Sequence, residues 1–245
     1  MTPTSFRSSG QAGPSKPVRA VIAAVILVGA SVGLAAAAIP RYVESRLAAA
    51  LRNDLHAGRV AVTVRAAPQD ALAGRFDALD LTIDAFRAGD LPVERLEANL
   101  TGVELDRGRL TQSGELVLRR LGRGSATVTV TEAGLEQYLT ASGTLRGARV
   151  RLAGGEATVR GVIRVLTIDV TAVMRGEFII PNGDRVSLRI RSISLGEVRL
   201  PPEVGQSLGA AMNPLVRVDD FPLPMRFTSV RTDHGELVLR AGTPR

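Results

Sequence analysis

The sequence predicts an α+β fold: a long twisted antiparallel sheet wrapped around two or three helices, preceded by one transmembrane helix. Three observations predict it. Apolar and polar residues alternate over long runs, above all in Leu72–Asp106, and period two places successive side chains on opposite faces of a strand. Few segments carry helical spacing, and strands and helices do not alternate in the doubly wound manner. Finally, Ala20 to Ile39 is an uncharged run of about twenty residues, the length that spans a bilayer as a helix.

Composition narrows the function. The chain has 245 residues, 45% of them hydrophobic, enough for a sizeable core. Aromatic residues are 3% and Trp is absent, so the core is aliphatic and offers few rings for stacking bases or sugars. The absence of Cys excludes disulfides, thiolate metal sites and cysteine nucleophiles. The net charge is +7, but Arg7, Lys16, Arg19 and Arg41 all precede the first acid, Glu44. The later arginines are interleaved with Asp and Glu, without a dense basic run or interspersed aromatics, which argues against a nucleic-acid partner.

Residues 1–19, rich in Ser, Gly and Pro, predict a disordered cytoplasmic tail. Residues 20–39 predict a membrane anchor, and the basic residues before it place the N-terminus inside and the body outside the membrane. A cleaved signal peptide is the alternative, because Ala35–Ala38 offers small residues at a possible cleavage site. Residues 40–245 then form one domain. Pro40 ends or kinks the first helix. Val43, Leu47, Ala50, Leu51 and Leu55 form the stripe of an amphipathic helix, expected to pack on the domain rather than lie on the membrane, since its polar face carries acids as well as bases.

Val60, Val62 and Val64 begin a strand. In the central stretch, Leu79, Leu81, Ile83 and Ala85 are expected on one face, and Leu96, Ala98 and Leu100 on the matching face of a second strand. A turn is expected at Gly89-Asp90 and Pro92. A strand within Leu110–Leu121 and a separate short strand at Ala126–Val130 follow. Thr131 is a suitable N-cap, with Glu132 in the first turn, for a helix that Gly143 closes. Gly154-Gly155 predicts a hairpin. The long run Thr158–Met174 switches face near Leu166, by a bulge or a turn, and Pro181-Asn182-Gly183-Asp184 predicts a further hairpin. Pro201-Pro202 precede a second helix, Glu203 to about Val216, with Val204, Leu208, Ala211, Met212 and Leu215 along one side. Two final strands meet at Asp233-His234-Gly235.

Motifs for chemistry are few. His56 and His234 are the only histidines, one at a helix end and one in a turn. HExxH, G-x-S-x-G and Walker A patterns are absent. Asp219-Asp220 precedes Phe221-Pro222 and reads as a turn. Asp77, Asp80 and Asp84 lie on a strand without the loop a calcium site needs. These patterns suggest neither an enzyme nor a cofactor. Two uses remain for the apolar faces: holding acyl chains, or forming the solid core of an envelope module with an unidentified protein partner.

The runs LAGRF (Leu72–Phe76) and GDLPVERLE (Gly89–Glu97), VTVTEAGLEQYL (Val128–Leu139) and the closing NPLVRVDDFPLPMRFTSVRTDHGELVLRA (Asn213–Ala241) together resemble the LmeA family of phospholipid-binding proteins. The resemblance implies an exported, periplasmic or cell-envelope protein with an elongated fold, similar to the tubular lipid-binding domains of bactericidal permeability-increasing proteins. It implies phospholipid as the partner and no catalytic residues. The residues then expected to touch lipid are Leu79, Leu81, Ile83, Leu96 and Leu100, with Ile163 and Val165 on a later strand and Val204, Leu208 and Met212 on the second helix.

Overall fold

The computed structural model describes residues 41, 43–52, 55–106, 108–109, 117–143, 145–165, 167–201, 203, 213–221, 223 and 225–243. The tail, the run Ala20–Ile39 and residues 204–212 of the expected second helix lie outside them. Among the described residues no helix is long and apolar enough to cross a membrane.

The strands form two antiparallel sheets instead of one. The first has the order β1 (Arg59–Arg65), β2 (Arg75–Ala88), β3 (Leu91–Leu105), β4 (Leu118–Thr131), β12 (Glu236–Gly242), β11 (Arg226–Asp233). The second has the order β10 (Val216–Arg217), β8 (Arg185–Leu195), β7 (Ile168–Ile179), β6 (Glu156–Val165), β5 (Arg146–Ala153), with β9 (Val198–Arg199) also on β8. The helices are α1 (residues 43–52), a short α2 (Pro68–Leu72) and α3 (Glu132–Ala141). The chain therefore builds most of the first sheet, crosses through α3 to build the second, and returns to complete the first.

Local signals account for many boundaries. Thr131 Oγ1 accepts the Gly134 N–H at 3.2 Å and starts α3, and Gly143 follows its end at φ 72°. Gly154-Gly155 turns β5 into β6 with both φ angles positive. The face switch near Leu166 is a turn, because Val165 pairs with Ile168 across it.

Four expectations need correction. The second helix does not run to Val216: residues 213–215 are not helical and Val216 begins β10. Pro92 lies in β3, paired with Arg87, so the turn is Gly89-Asp90 alone. The strand expected at Leu110–Leu121 and the one at Ala126–Val130 are, where described, a single β4 that runs straight through Gly122 and Gly124. Gly122 permits this, since a Cβ there would lie 2.9 Å from the Thr101 carbonyl oxygen. Ala85 does not share the face of Ile83: it is exposed, at φ 53°, and the buried series resumes at Phe86. The Gly58 N–H, donated to the carbonyls of Asp84 and Ala85 at 3.1 and 3.0 Å, offsets part of the ~1–2 kcal/mol that a left-handed residue costs.

Helix carboxylates guard one edge of each sheet. The stripe of α1 packs as expected, with Val43 and Leu47 buried, and its Glu44 accepts the N–H of Val64 on edge strand β1 at 2.9 Å. On α3, Glu136 accepts the N–H of Val150 at 3.0 Å and Glu132 that of Leu152 at 2.6 Å. Four helical residues advance about 6 Å and two strand residues about 6.6 Å, so side chains at i and i+4 match N–H groups at j and j+2 on β5. These contacts satisfy donors that an edge strand otherwise leaves open to another chain. The sheets meet again at the β7–β8 turn, where Phe227 of β11 donates its N–H to Gly183 at 2.8 Å.

Candidate functional site

The inner face of the first sheet is built in rows across the strands. One row is Val60, Ile83, Leu96, Val128 and Leu239; another is Val64, Leu79, Leu100 and Gly124. Between them run Val62, Leu81, Ala98, Ala126 and Ala241. Three successive alanines, with Gly124 beside Ala126 in the next row, leave a shallow trough across β3, β4 and β12. Its walls are aliphatic, so it presents no hydrogen-bonding group to an occupant.

A strap covers the trough. It begins in the 3₁₀ turn Val218–Asp220, where the Asp220 carboxylate accepts the Arg217 N–H at 2.8 Å; the acid pair is thus a turn, as its sequence suggests. Phe221, Leu223 and Met225 then alternate inward. Phe221 meets Phe86 and Phe227 edge to face, with ring centroids 6.4 and 5.8 Å apart. Met225 Cε packs where Gly124 leaves room, since a Cβ on Gly124 would come within 2.6 Å of it. Between strap and trough remains an apolar cleft of about 20 Å³, bounded by Leu96, Ala126, Val128, Phe221, Leu223 and Met225 among others. That is far below the ~300 Å³ at which ligand pockets begin; in this state the cleft is closed.

Leu79, Leu81, Ile83, Leu96 and Leu100 are all buried on this one face, and of these Leu96 borders the cleft. Ile163 sits apart from them, half-buried on the inner face of the second sheet. Val165 is in the same strand, in register with Ile168. Val204, Leu208 and Met212 lie outside the described residues. A larger open cleft of about 410 Å³ lies along β8 and β9, with Ile190, Ile193, Arg199, Leu200 and Pro201 among its walls.

The strap residues and the alanine row escaped the sequence reading. Phe221-Pro222-Leu223-Pro224-Met225 alternates apolar residues with proline, a signal of extended chain that cannot join a central strand.

Asn213 anchors the approach to the strap. Its Oδ1 accepts the Leu188 N–H at 2.8 Å and its Nδ2 donates to the Leu188 carbonyl at 2.9 Å. The amide thus extends the ladder that Leu215 and β10 make with Val186. Asn213→Ala removes both bonds and is expected to lower stability by about 1–3 kcal/mol, read from the midpoint of urea unfolding.

No curated protein and no solved structure matches the chain. The profile of the LmeA-like phospholipid-binding family matches residues 34–242, which include both sheets, the trough and the strap. The chain belongs to the LmeA-like phospholipid-binding family.

Proposed function

We propose that the chain is a membrane-anchored, extracytoplasmic phospholipid-binding protein of the bacterial cell envelope, without catalytic activity, that holds acyl chains against the alanine trough of its first sheet. Membership of a phospholipid-binding family supports the ligand class. The observation that carries the site is the unbroken aliphatic surface of the trough, roofed by side chains that can lift without breaking a strand ladder. The charge-free run Ala20–Ile39 behind a basic tail supports the anchor and the outward-facing body. Loading requires Phe221, Leu223 and Met225 to move off the sheet, because the closed cleft is too small for a chain.

Native mass spectrometry of residues 40–245, purified from cells, tests the reading. Expected are adducts of phospholipid mass; a lipid-free body that also fails to extract phospholipid from liposomes overturns it. Phe221→Ala opens the roof, and its expected effect is a larger lipid-bound fraction than in the parent chain. The closed cleft favours one second reading, a solid-core interaction module of the envelope. On that reading Phe221→Ala only loosens the fold, and no adduct appears in either chain.

A further inference from the structure

The second sheet ends differently from the first. On its inner face, Ala157, Val159, Ala172 and Met174 are buried, but the same rows continue past the core. Ile163 and its partner Val170 are half-buried. Ile168, at the start of β7, is 66% exposed. Leu195, opposite Ala172, is half-buried, and Val198, opposite Leu195, is 64% exposed. Ile168 and Val198 are the exposed large hydrophobic residues among those described. Both occur at one end of one sheet, at the β6–β7 and β8–β9 turns. The Gly196 N–H, donated to the Thr171 carbonyl at 2.8 Å, ties these turns together.

Charge is concentrated on the same sheet. Residues 146–200 contain ten arginines and five acids, whereas 44–145 and 201–245 together contain 17 arginines and 19 acids. The excess is unneutralised at specific places. Arg149 and Arg160 are directly opposite on β5 and β6, a pairing of like charges that weakens a sheet. Arg149 has Glu136 as a partner at 3.0 Å, but among the described residues Arg160 has no ion-pair partner. Arg151 and Arg175 flank Thr158 in the next row, likewise without one among the described residues. At the tip, Arg146 and Arg164 share the single carboxylate of Asp169. Arg199 lines the open cleft beside Val198, and Glu197 is the other acid there.

From this arrangement we infer that the β6–β7 and β8–β9 end of the second sheet is a membrane-docking tip. Ile168 and Val198 enter the hydrocarbon boundary of a phospholipid bilayer, and Arg164 and Arg199 beside them meet its phosphates. Apolar prongs backed by cations suit an anionic bilayer surface, where each Arg near the surface contributes about 1 kcal/mol. The inner apolar rows of the second sheet then run from the bilayer past Ile163 and Val170 to Ala172 and Met174 in the core. This inference rests on the phospholipid-binding reading, and gives it the surface at which the body meets lipid.

The chain contains no Cys, so single labels can be placed without background. Ile168→Cys, Val198→Cys and, on the exposed face of β1, Thr63→Cys are made in the full chain. Each is labelled with an environment-sensitive fluorophore and reconstituted in phosphatidylcholine–phosphatidylglycerol vesicles doped with spin-labelled lipid. The expected result is a blue shift and strong quenching at 168 and 198, at least several-fold above that at 63. Both signals weaken in phosphatidylcholine alone and in the added double variant Arg164→Glu/Arg199→Glu. Equal quenching at all three sites, or none at 168 and 198, overturns docking by this tip; a signal indifferent to vesicle charge and to the arginine variant overturns the role of the arginines. Lipid adducts measured on the same preparations separate the two ideas. Adducts without quenching defeat the tip alone, and quenching without adducts defeats the lipid-binding reading while the docking surface stands.

Discussion

Gly176→Val is expected to unfold the second sheet. A Cβ at Gly176 of β7 would lie 2.3 Å from the Arg189 carbonyl oxygen and 3.0 Å from its carbon. Both obstacles are backbone of the neighbouring strand, so no rotamer change relieves them. The approach arises where the β7–β8 register shifts between Arg175 and Gly176, with Ser192 and Ile190 as their respective partners. The extra residue bends β8 toward β7, and only a residue without Cβ fits beneath the bend. Overpacking usually costs about 1–3 kcal/mol, and a backbone clash belongs at or above the top of that range. Gly147→Ala is the informative contrast. Nothing lies within 4 Å of a Cβ there, but φ is +58°, so its expected loss is the ~1–2 kcal/mol of a left-handed residue. Urea midpoints of the two variants should differ in that order; a Gly176→Val chain as stable as the Gly147→Ala chain would refute the assignment.

The second large effect is expected at Glu132 and Glu136. Each carboxylate accepts an N–H of β5, and Glu136 also holds Arg149 at 3.0 Å. Hydrogen bonds to a charged group contribute about 1.5–3 kcal/mol each. Glu132→Ala/Glu136→Ala is therefore expected to cost about 3–6 kcal/mol and to leave the N–H groups of Val150 and Leu152 open. Since β5 is an edge strand, the second expected consequence is association through that edge, visible as concentration-dependent oligomers in sedimentation velocity. Glu132→Gln/Glu136→Gln keeps an acceptor at each site and should recover part of the stability and most of the monomer. Equal behaviour of the two double variants would mean that the carboxylates are surface decoration.

The residues that were legible in the sequence carry their own local instruction. Thr131 caps because its hydroxyl reaches an N–H three residues on. Gly154-Gly155 turns because both adopt positive φ. Leu79, Leu81, Ile83, Leu96 and Leu100 share a face because period two requires it, and all are buried. What remained hidden depends on distant neighbours. Ala85 leaves its face because Gly58 holds the carbonyls beside it. The continuity of β4 depends on Gly122 fitting against Thr101 of β3. The division into two sheets depends on β4 pairing with β12, and no local pattern distinguishes that partner from β5. The candidate site divides in the same way. Its aliphatic wall follows from alternation, but the alanine trough exists only once register places Ala98, Ala126 and Ala241 side by side.

The pairing of β4 with β12 also sets an order of events. Thr131 and Glu236 are direct partners across 105 intervening steps of sequence, so the first sheet stays open at β4 until the last strands arrive. Contacts of such separation form late and slowly. On the proposed topology, with the N-terminus held inside, the body crosses from its β1 end, so β1–β4 would reach the far side of the membrane while β11 and β12 are still in transit. During that interval both the Ala241 wall of the trough and its roof are missing, since Phe221–Met225 arrives with the same late segment. On the proposed topology the nascent chain would expose its aliphatic surface at the bilayer before it can close, and the C-terminal hairpin is the clasp that finishes the first sheet.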